Sequence, residues 1–314
     1  MIRLLRGVSI AALALALALF IAAQVNERMN QDDTLPTITA DSDTIEIPCD
    51  YTQEQLLAGI SASDAKDGDL TGQVLVGNFT RFIEPGVCDL NYVVFDSSEH
   101  MATLTRRVRF TDYHSPRFGL AEPLVFAEST TNNTEVRALF SASDVLDGDL
   151  TDWITYVETN AAYNNPGDYT ITMEVRNSFG DTVSYAFPIH IYERNTQDFD
   201  ITLTEPLVYV EQGGSFDPLA YVESVADFSG NKYDPALLNV TSTVDTSTPG
   251  IYEVHYEIGD TSLASEEESL EIDVEDSNEE TDEEGGNETL LTSVDGEGQY
   301  GQMWLTVIVQ EVVA

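Results

Sequence analysis

The chain has 314 residues, and 56 acidic against 13 basic side chains give it a formal charge of −43. A field of that sign excludes nucleic-acid binding, which depends on Lys and Arg neutralising phosphate, and it attracts cations. Hydrophobic residues make up 42% of the chain and include 14 Tyr and 13 Phe, enough to bury a core, so the acidity belongs to a folded protein of two or three domains.

Arg3 and Arg6 precede an uncharged stretch rich in Ala and Leu, from Gly7 to Val25, which Asn26, Glu27 and Arg28 end. A basic start followed by an apolar run directs export, and at about 1.5 Å per helical residue the run nearly spans a hydrocarbon core. A signal peptidase needs small residues at −3 and −1. A cut after Ala23 places Ile21 at −3, and one after Ala22 places Phe20 there. The segment 1–33 is therefore expected to remain as a signal-anchor and linker, with secretion after cleavage as the alternative. Either way the residues from about 26 onward lie outside the cytoplasm, and the membrane is met through this helix only.

The remainder is a threefold repeat. Ser61-Ala-Ser-Asp-Ala-Lys-Asp-Gly-Asp-Leu-Thr71 returns 80 residues later as Ser141-Ala-Ser-Asp-Val-Leu-Asp-Gly-Asp-Leu-Thr151. A Pro-Gly turn occurs at Pro85-Gly86, Pro166-Gly167 and Pro249-Gly250, and Glu122-Pro-Leu-Val-Phe126 matches Glu205-Pro-Leu-Val-Tyr209. These landmarks set units at 34–112, 113–196 and 197–314. After each Pro-Gly the chain alternates with period two, the mark of a half-buried strand. The inward faces read Cys88, Leu90, Tyr92, Val94, then Tyr169, Ile171, Met173, Val175, then Tyr252, Val254, Tyr256, Ile258. The outward faces read Thr170, Thr172, Glu174 and Arg176 in the second unit and Glu253, His255 and Glu257 in the third, which leaves His255 in solvent. Closing strands follow at 103–110, 183–191 and 303–309, and no unit shows a convincing amphipathic helix. Repeats of this length built from short strands imply an all-β fold of tandem sandwiches.

The third unit carries an insertion at about 260–300. Its stretch 266–297 holds 15 acidic residues in 32 and no basic one, which predicts a solvated loop. Where the first two units have their acidic loop, the third has Val225-Ala-Asp-Phe-Ser-Gly-Asn-Lys232.

The pattern Ala-x-Asp-x-x-Asp-Gly-Asp-Leu-Thr, then Pro-Gly and an alternating strand, then a closing strand such as Arg106-Arg-Val-Arg-Phe110, resembles the bacterial surface Ig-like domains also found in some pesticidal crystal proteins. The resemblance covers the first two units nearly end to end and the third in part. It implies three tandem Ig-like β-sandwiches behind an N-terminal hydrophobic helix, a surface location and a spacer, adhesion or binding role. It implies no reaction.

Several residue groups bear on chemistry. Asp64, Asp67 and Asp69, and likewise Asp144, Asp147 and Asp149, gather three carboxylates within six residues, and Ca²⁺ seeks several oxygens at about 2.3–2.6 Å. In an Ig-like sandwich this loop faces the preceding module, so Asp112 would approach the loop of the second unit and Asp32 or Asp33 that of the first, forming cation bridges at the joints. The competing reading is an Asp-Gly turn whose carboxylates cap nearby backbone N–H groups. Cys49 and Cys88, both in the first unit, are either a disulfide, which an exported protein permits, or include a buried thiol at Cys88. Tyr113, His114 and Arg117 form an aromatic and basic cluster expected to pack the junction of the first two units. Gly296-Glu-Gly-Gln-Tyr-Gly301 has the letters of a dinucleotide-binding glycine pattern but precedes a strand and leaves no chain for a helix. The four histidines show no zinc or triad spacing. The sequence thus points to a non-enzymatic surface protein whose partner is a protein or a glycan. A carbohydrate- or cell-wall-binding module is the alternative, which the placement of Trp153 and Trp304 in or beside apolar strands disfavours.

Overall fold

The computed structural model describes residues 2–30, 34–259, 290–291, 294 and 299–311. The acidic stretch 266–297, apart from its few described positions, and Asp32 and Asp33 lie outside the described residues. The chain divides into two compact units, Met1–Tyr113 and His114–Ala314.

The first unit begins with α1 (Ile2–Asn30), on which Leu13, Leu15, Leu17, Leu19 and Phe20 are exposed. Among the described residues no helix is long and apolar enough to cross a membrane, so the structure lends the anchor expectation no support. The strands β1 (Thr37–Ala40), β2 (Thr44–Ile47), β3 (Ile60–Asp64), β4 (Gly68–Asp69), β5 (Leu75–Phe79), β6 (Val87–Phe95) and β7 (Met101–Phe110) form two sheets, ordered β1-β3-β4 and β2-β7-β6-β5. β1 pairs antiparallel with β3, whereas β2, three residues on, pairs parallel with the closing strand β7. The chain therefore changes sheets between Ala40 and Thr44. Arg106 holds that crossover: its side chain is almost wholly buried and donates to Asp41 Oδ1 at 2.8 Å, Ser42 Oγ at 2.6 Å and Ala58 O at 2.6 Å.

The inward face of β6 is as the alternation predicts. Cys88, Leu90, Tyr92 and Val94 are all fully buried, each large apolar side chain contributing about 1.5–3 kcal/mol. The Tyr92 hydroxyl escapes an unpaired burial by donating to Leu56 O at 2.6 Å. Leu56 belongs to a short helix that the sequence pattern did not reveal, α2 (Gln53–Leu57), whose first turn is closed by a reciprocal capping box between Thr52 and Gln55.

The second unit contains the same strand order twice. β8 (Arg117–Leu120), β9 (Val125–Ala127), β10 (Phe140–Asp144), β11 (Gly148–Asp149), β12 (Thr155–Thr159), β13 (Gly167–Arg176) and β14 (Thr182–Tyr192) form sheets β8-β10-β11 and β9-β14-β13-β12. Between β9 and β10 lies the short helix α3 (Asn133–Ala138), capped by the Asn132 side chain. β15 (Phe199–Leu203), β16 (Leu207–Glu211), β17 (Val222–Asp227), β18 (Lys232–Tyr233), β19 (Asn239–Ser242), β20 (Gly250–Gly259) and β21 (Tyr300–Gln310) form sheets β15-β17-β18 and β16-β21-β20-β19. β9 runs parallel to β14 and β16 parallel to β21, so the split first strand recurs in all three sheet pairs.

Each pair closes on its own core. Phe118, Phe140 and Ala142 from one sheet meet Ile171, Met173, Phe187 and Ile189 from the other, and Phe199, Ile201 and Val225 meet Val254, Tyr256, Leu305 and Val307. The fold is all-β, with face-to-face sheets and few helical residues. The outward side chains Leu207 and Ile308 of the third pair are also buried, and they belong to the cluster of the second. The second and third pairs are therefore joined by apolar packing.

Candidate functional site: acidic loops and a His–Trp–His stack

Every position of the repeated acidic motif has a local task. Asp64 Oδ1 accepts the N–H of Lys66 at 2.7 Å and of Asp67 at 3.1 Å, and Asp144 Oδ1 accepts those of Leu146 at 2.9 Å and Asp147 at 3.1 Å. Gly68 and Gly148 take φ of +76° and +75°, values that disfavour other L-residues, and turn the chain into β4 and β11. Asp69 and Asp149 each accept the N–H two residues on, that of Thr71 and of Thr151, both at 2.9 Å, where the following 3₁₀ turn begins. Leu70 and Leu150 plug the core, and the Thr71 and Thr151 hydroxyls accept the N–H of Ala62 and Ala142. Asp67 and Asp147 reach across to the other sheet: Asp67 takes the N–H and hydroxyl of Ser97 at 2.7 and 2.8 Å, and Asp147 those of Ser178 at 2.6 and 2.8 Å.

This arrangement lends the cation expectation no support. The three carboxylates of each loop diverge toward different donors, and among the described residues no group of three or more His, Cys, Asp and Glu is placed to hold a metal ion. Asp112 accepts the N–H of Cys49 at 2.7 Å. The N–H bonds from Asp67 and then Lys66 hold Asp64 below the usual carboxylate range, and the hydroxyl and N–H of Thr71 and Thr151 do the same for Asp69 and Asp149. The loop of the third pair keeps the device with other letters. Asp227 accepts the N–H of Ser229 and of Asn231, both at 2.9 Å.

Cys88 is a free, fully buried thiol in the inward slot of β6, where burial first and Asp89 second push its pKa to about 12. Tyr113 falls in the first compact unit and His114 and Arg117 in the second. Tyr113 packs edge-on against Phe82 with centroids 4.8 Å apart, and His114 Nδ1 lies 2.9 Å from Ser115 O. Arg117 lies over the Tyr209 ring at 5.1 Å and donates to Gln310 Oε1 at 2.8 Å. Gly301 of the glycine pattern is a packing residue in β21: a Cβ there would meet Phe199 Cβ at 2.7 Å.

Alternation along the strands did not reveal the polar centre of the junction between the second and third pairs. His190, outward on β14, places Nδ1 2.8 Å from Asp168 Oδ1 and Nε2 2.5 Å from Glu253 Oε1. The Trp304 indole stacks on His190 with centroids 4.1 Å apart and planes 7° apart, and on His255 at 4.2 Å and 12°. His255 is thus half-buried, its side chain 24% exposed, where alternation suggested a residue in solvent. Between the same two pairs the Tyr209 hydroxyl accepts the Phe118 N–H at 2.7 Å. One sequence signal was available: Leu305-Thr-Val-Ile-Val309 is buried throughout, as a strand covered on both faces must be. Trp153 also departs from expectation. It ends a 3₁₀ turn and is 70% exposed.

In the first unit a depression of about 310 Å³ is lined by Asp43, Thr44, Asp89, Thr105 and Arg107. The Asp89–Arg107 pair at 3.2 Å crosses it, and no aromatic ring lines it.

No family model matches the chain. Over 245 residues, 76% of its length, it is 27% identical to the pesticidal crystal protein Cry22Aa of Bacillus thuringiensis, of which it spans 33%. Among solved structures it is similar to the CBM51-2 and INT domains of Clostridium perfringens ZmpB in complex with GlcNAc, at 16% identity over 48% of this chain and 26% of that one, with a TM-score of 0.21. It is also similar to the protocadherin GammaB4 extracellular domain, at 10% identity over 90% of this chain and 52% of that one, with a TM-score of 0.20. Scores of this size assign neither a ligand nor an activity.

Proposed function

We propose that the chain is a non-enzymatic, exported repeat protein whose three Ig-like sandwiches serve as spacer and adhesion or binding modules at the cell surface, delivered there by the N-terminal apolar segment. One observation carries this reading: the charged residues that repeat between units are spent on the fold itself. Asp64, Asp67 and Asp69, like Asp144, Asp147 and Asp149, accept backbone and hydroxyl donors of their own unit. What recurs is scaffold. Loop variation on a rigid sandwich is a common way to build recognition surfaces. The similarity to a third of Cry22Aa and the basic, apolar N-terminus agree with a secreted modular protein. Protease added to intact cells that express the chain should degrade the third unit while a cytoplasmic marker survives. Protection until the cells are lysed would refute surface display.

A glycan-binding reading is favoured by Trp153. An indole 70% exposed at the end of a 3₁₀ turn is the kind of flat apolar face on which a sugar ring stacks. On a glycan array, Trp153→Ala should abolish any signal the full-length protein gives. A signal unchanged by that substitution, or no signal from the wild type, would reject this reading.

A further inference from the structure

We infer that the junction between the second and third sheet pairs is a two-histidine clamp, closed in the pH window where His190 carries a proton and His255 does not. His190 sits on β14 of the second pair with a carboxylate at each ring nitrogen. Asp168 of β13 faces Nδ1 and Glu253 of β20 faces Nε2. A carboxylate only accepts, so both nitrogens must donate, and only imidazolium has two N–H groups. The neutral ring would turn a lone pair toward one carboxylate. Glu253 belongs to the third pair, so the protonated ring ties the two pairs together by charge as well as by hydrogen bonds. The Trp304 face at 4.1 Å adds a stacking partner that favours a cation.

His255 stands on the same indole under the opposite demand. Its Nε2 is buried without a hydrogen-bond partner, and Glu257 Oε1 lies 3.9 Å from it. The groups around the pair are Asp168 on β13, Glu253 and Glu257 on β20, and Gln302, Trp304 and Tyr300 on β21. The Tyr300 hydroxyl donates to Glu257 Oε1 at 2.8 Å. A second proton would put a second positive charge beside His190 in a partly buried site.

The protonation energetics agree with the geometry. Burial opposes a charge on His190, yet the bonds to Glu253 and then Asp168 outweigh it and hold its pKa above the ordinary value. Burial first, with His190 adding to it, pulls His255 below that value against the opposing pull of Glu257, Gln302 and Glu253. The signs follow from linkage. The His190 contribution is complete below its unfolded pKa of about 6.5 and is lost as pH rises through its higher folded value. The His255 contribution is complete above about 6.5 and is lost as pH falls through its lower folded value. The clamp is therefore tightest between the two folded values.

Histidine ¹³C–¹H NMR titration of the full-length chain tests this, with His190→Gln and His255→Gln assigning two of the four signals. One of the two should titrate above the ordinary value and the other below it. In a Trp153→Phe background Trp304 is the sole indole, and its emission against pH should be bell-shaped, with the alkaline limb absent in His190→Gln and the acid limb absent in His255→Gln. Glu253→Gln should move the His190 signal down toward the ordinary value. Both histidines titrating at the ordinary value, or limbs that persist in the two variants, would overturn the clamp. Should a variant fail to fold, the wild-type titration decides alone, because four signals clustered at the ordinary value would contradict it.

Discussion

Asp147 holds Ser178 twice, through its N–H at 2.6 Å and its hydroxyl at 2.8 Å, and so ties the loop of one sheet to the hairpin of the other. Asp67 holds Ser97 in the same way. The bond joins elements 31 residues apart in the chain and closes the open end of the sandwich. Asp147→Asn and Ser178→Ala should each destabilise the protein by about 1 kcal/mol, and the double variant should cost less than the sum, since either change removes the same latch. Urea midpoints of the four proteins measure this, and strict additivity would show that the two residues act separately.

The joint of the second and third pairs depends on side chains that a lone sandwich would expose to water. Ile308 is fully buried in the cluster of its neighbour, so Ile308→Ala should cost about 2–5 kcal/mol. Tyr209→Phe removes the acceptor of the Phe118 N–H and should cost about 1–3 kcal/mol. Denaturant titrations check both. A surface-like loss of under about 0.5 kcal/mol for Ile308→Ala would contradict the packing.

Acid should loosen the loops. Asp64 is held below its usual range by the N–H groups of Asp67 and Lys66, and Asp69 and Asp149 by Thr71 and Thr151. A depressed folded pKa gives stability that is present above the unfolded value of about 3.9 and is lost as pH falls through the folded value. Urea midpoints between pH 6 and pH 2 should therefore fall below about pH 4, less steeply in a variant carrying Asp69→Asn and Asp149→Asn.

Cys88 should resist chemistry in the folded protein. With its pKa pushed to about 12 and no exposed surface, its thiolate is scarce at pH 8 and out of reach. A thiol reagent should leave Cys88 unmodified in buffer and modify it in denaturant, as read by peptide mass. A native mass two daltons short, with no thiol released on unfolding, would instead indicate a Cys49–Cys88 bond.

The inward faces of β6, β13 and β20 were legible because period-two alternation reports directly which side chains leave water. Cys88 to Val94, Ile171 to Val175 and Val254 to Ile258 are buried as read. The same rule misled at His255, since it assigns the second face to solvent and cannot see that Trp304 stacks on it. Trp304 was read as a strand residue and proves to be the centre of a stack. Trp153 looked apolar by its neighbours, but a 3₁₀ turn points it outward. The acidic motif is legible as a turn because its carboxylates accept N–H groups two and three residues on. In the third pair the position of the loop was legible but its turn chemistry was not, because there Asp227 accepts the N–H groups of Ser229 and Asn231 without the acidic motif.

Calcium calorimetry on the full-length chain, with matched thermal melts, tests most directly whether the repeated carboxylates serve the fold. If Asp64, Asp67, Asp69 and their counterparts are occupied by N–H and hydroxyl donors, the ion should give no binding heat attributable to these loops and no change in Tm that depends on them. Binding heat together with a Tm increase, both abolished by Asp147→Asn with Asp149→Asn, would contradict it and make the loops cation sites.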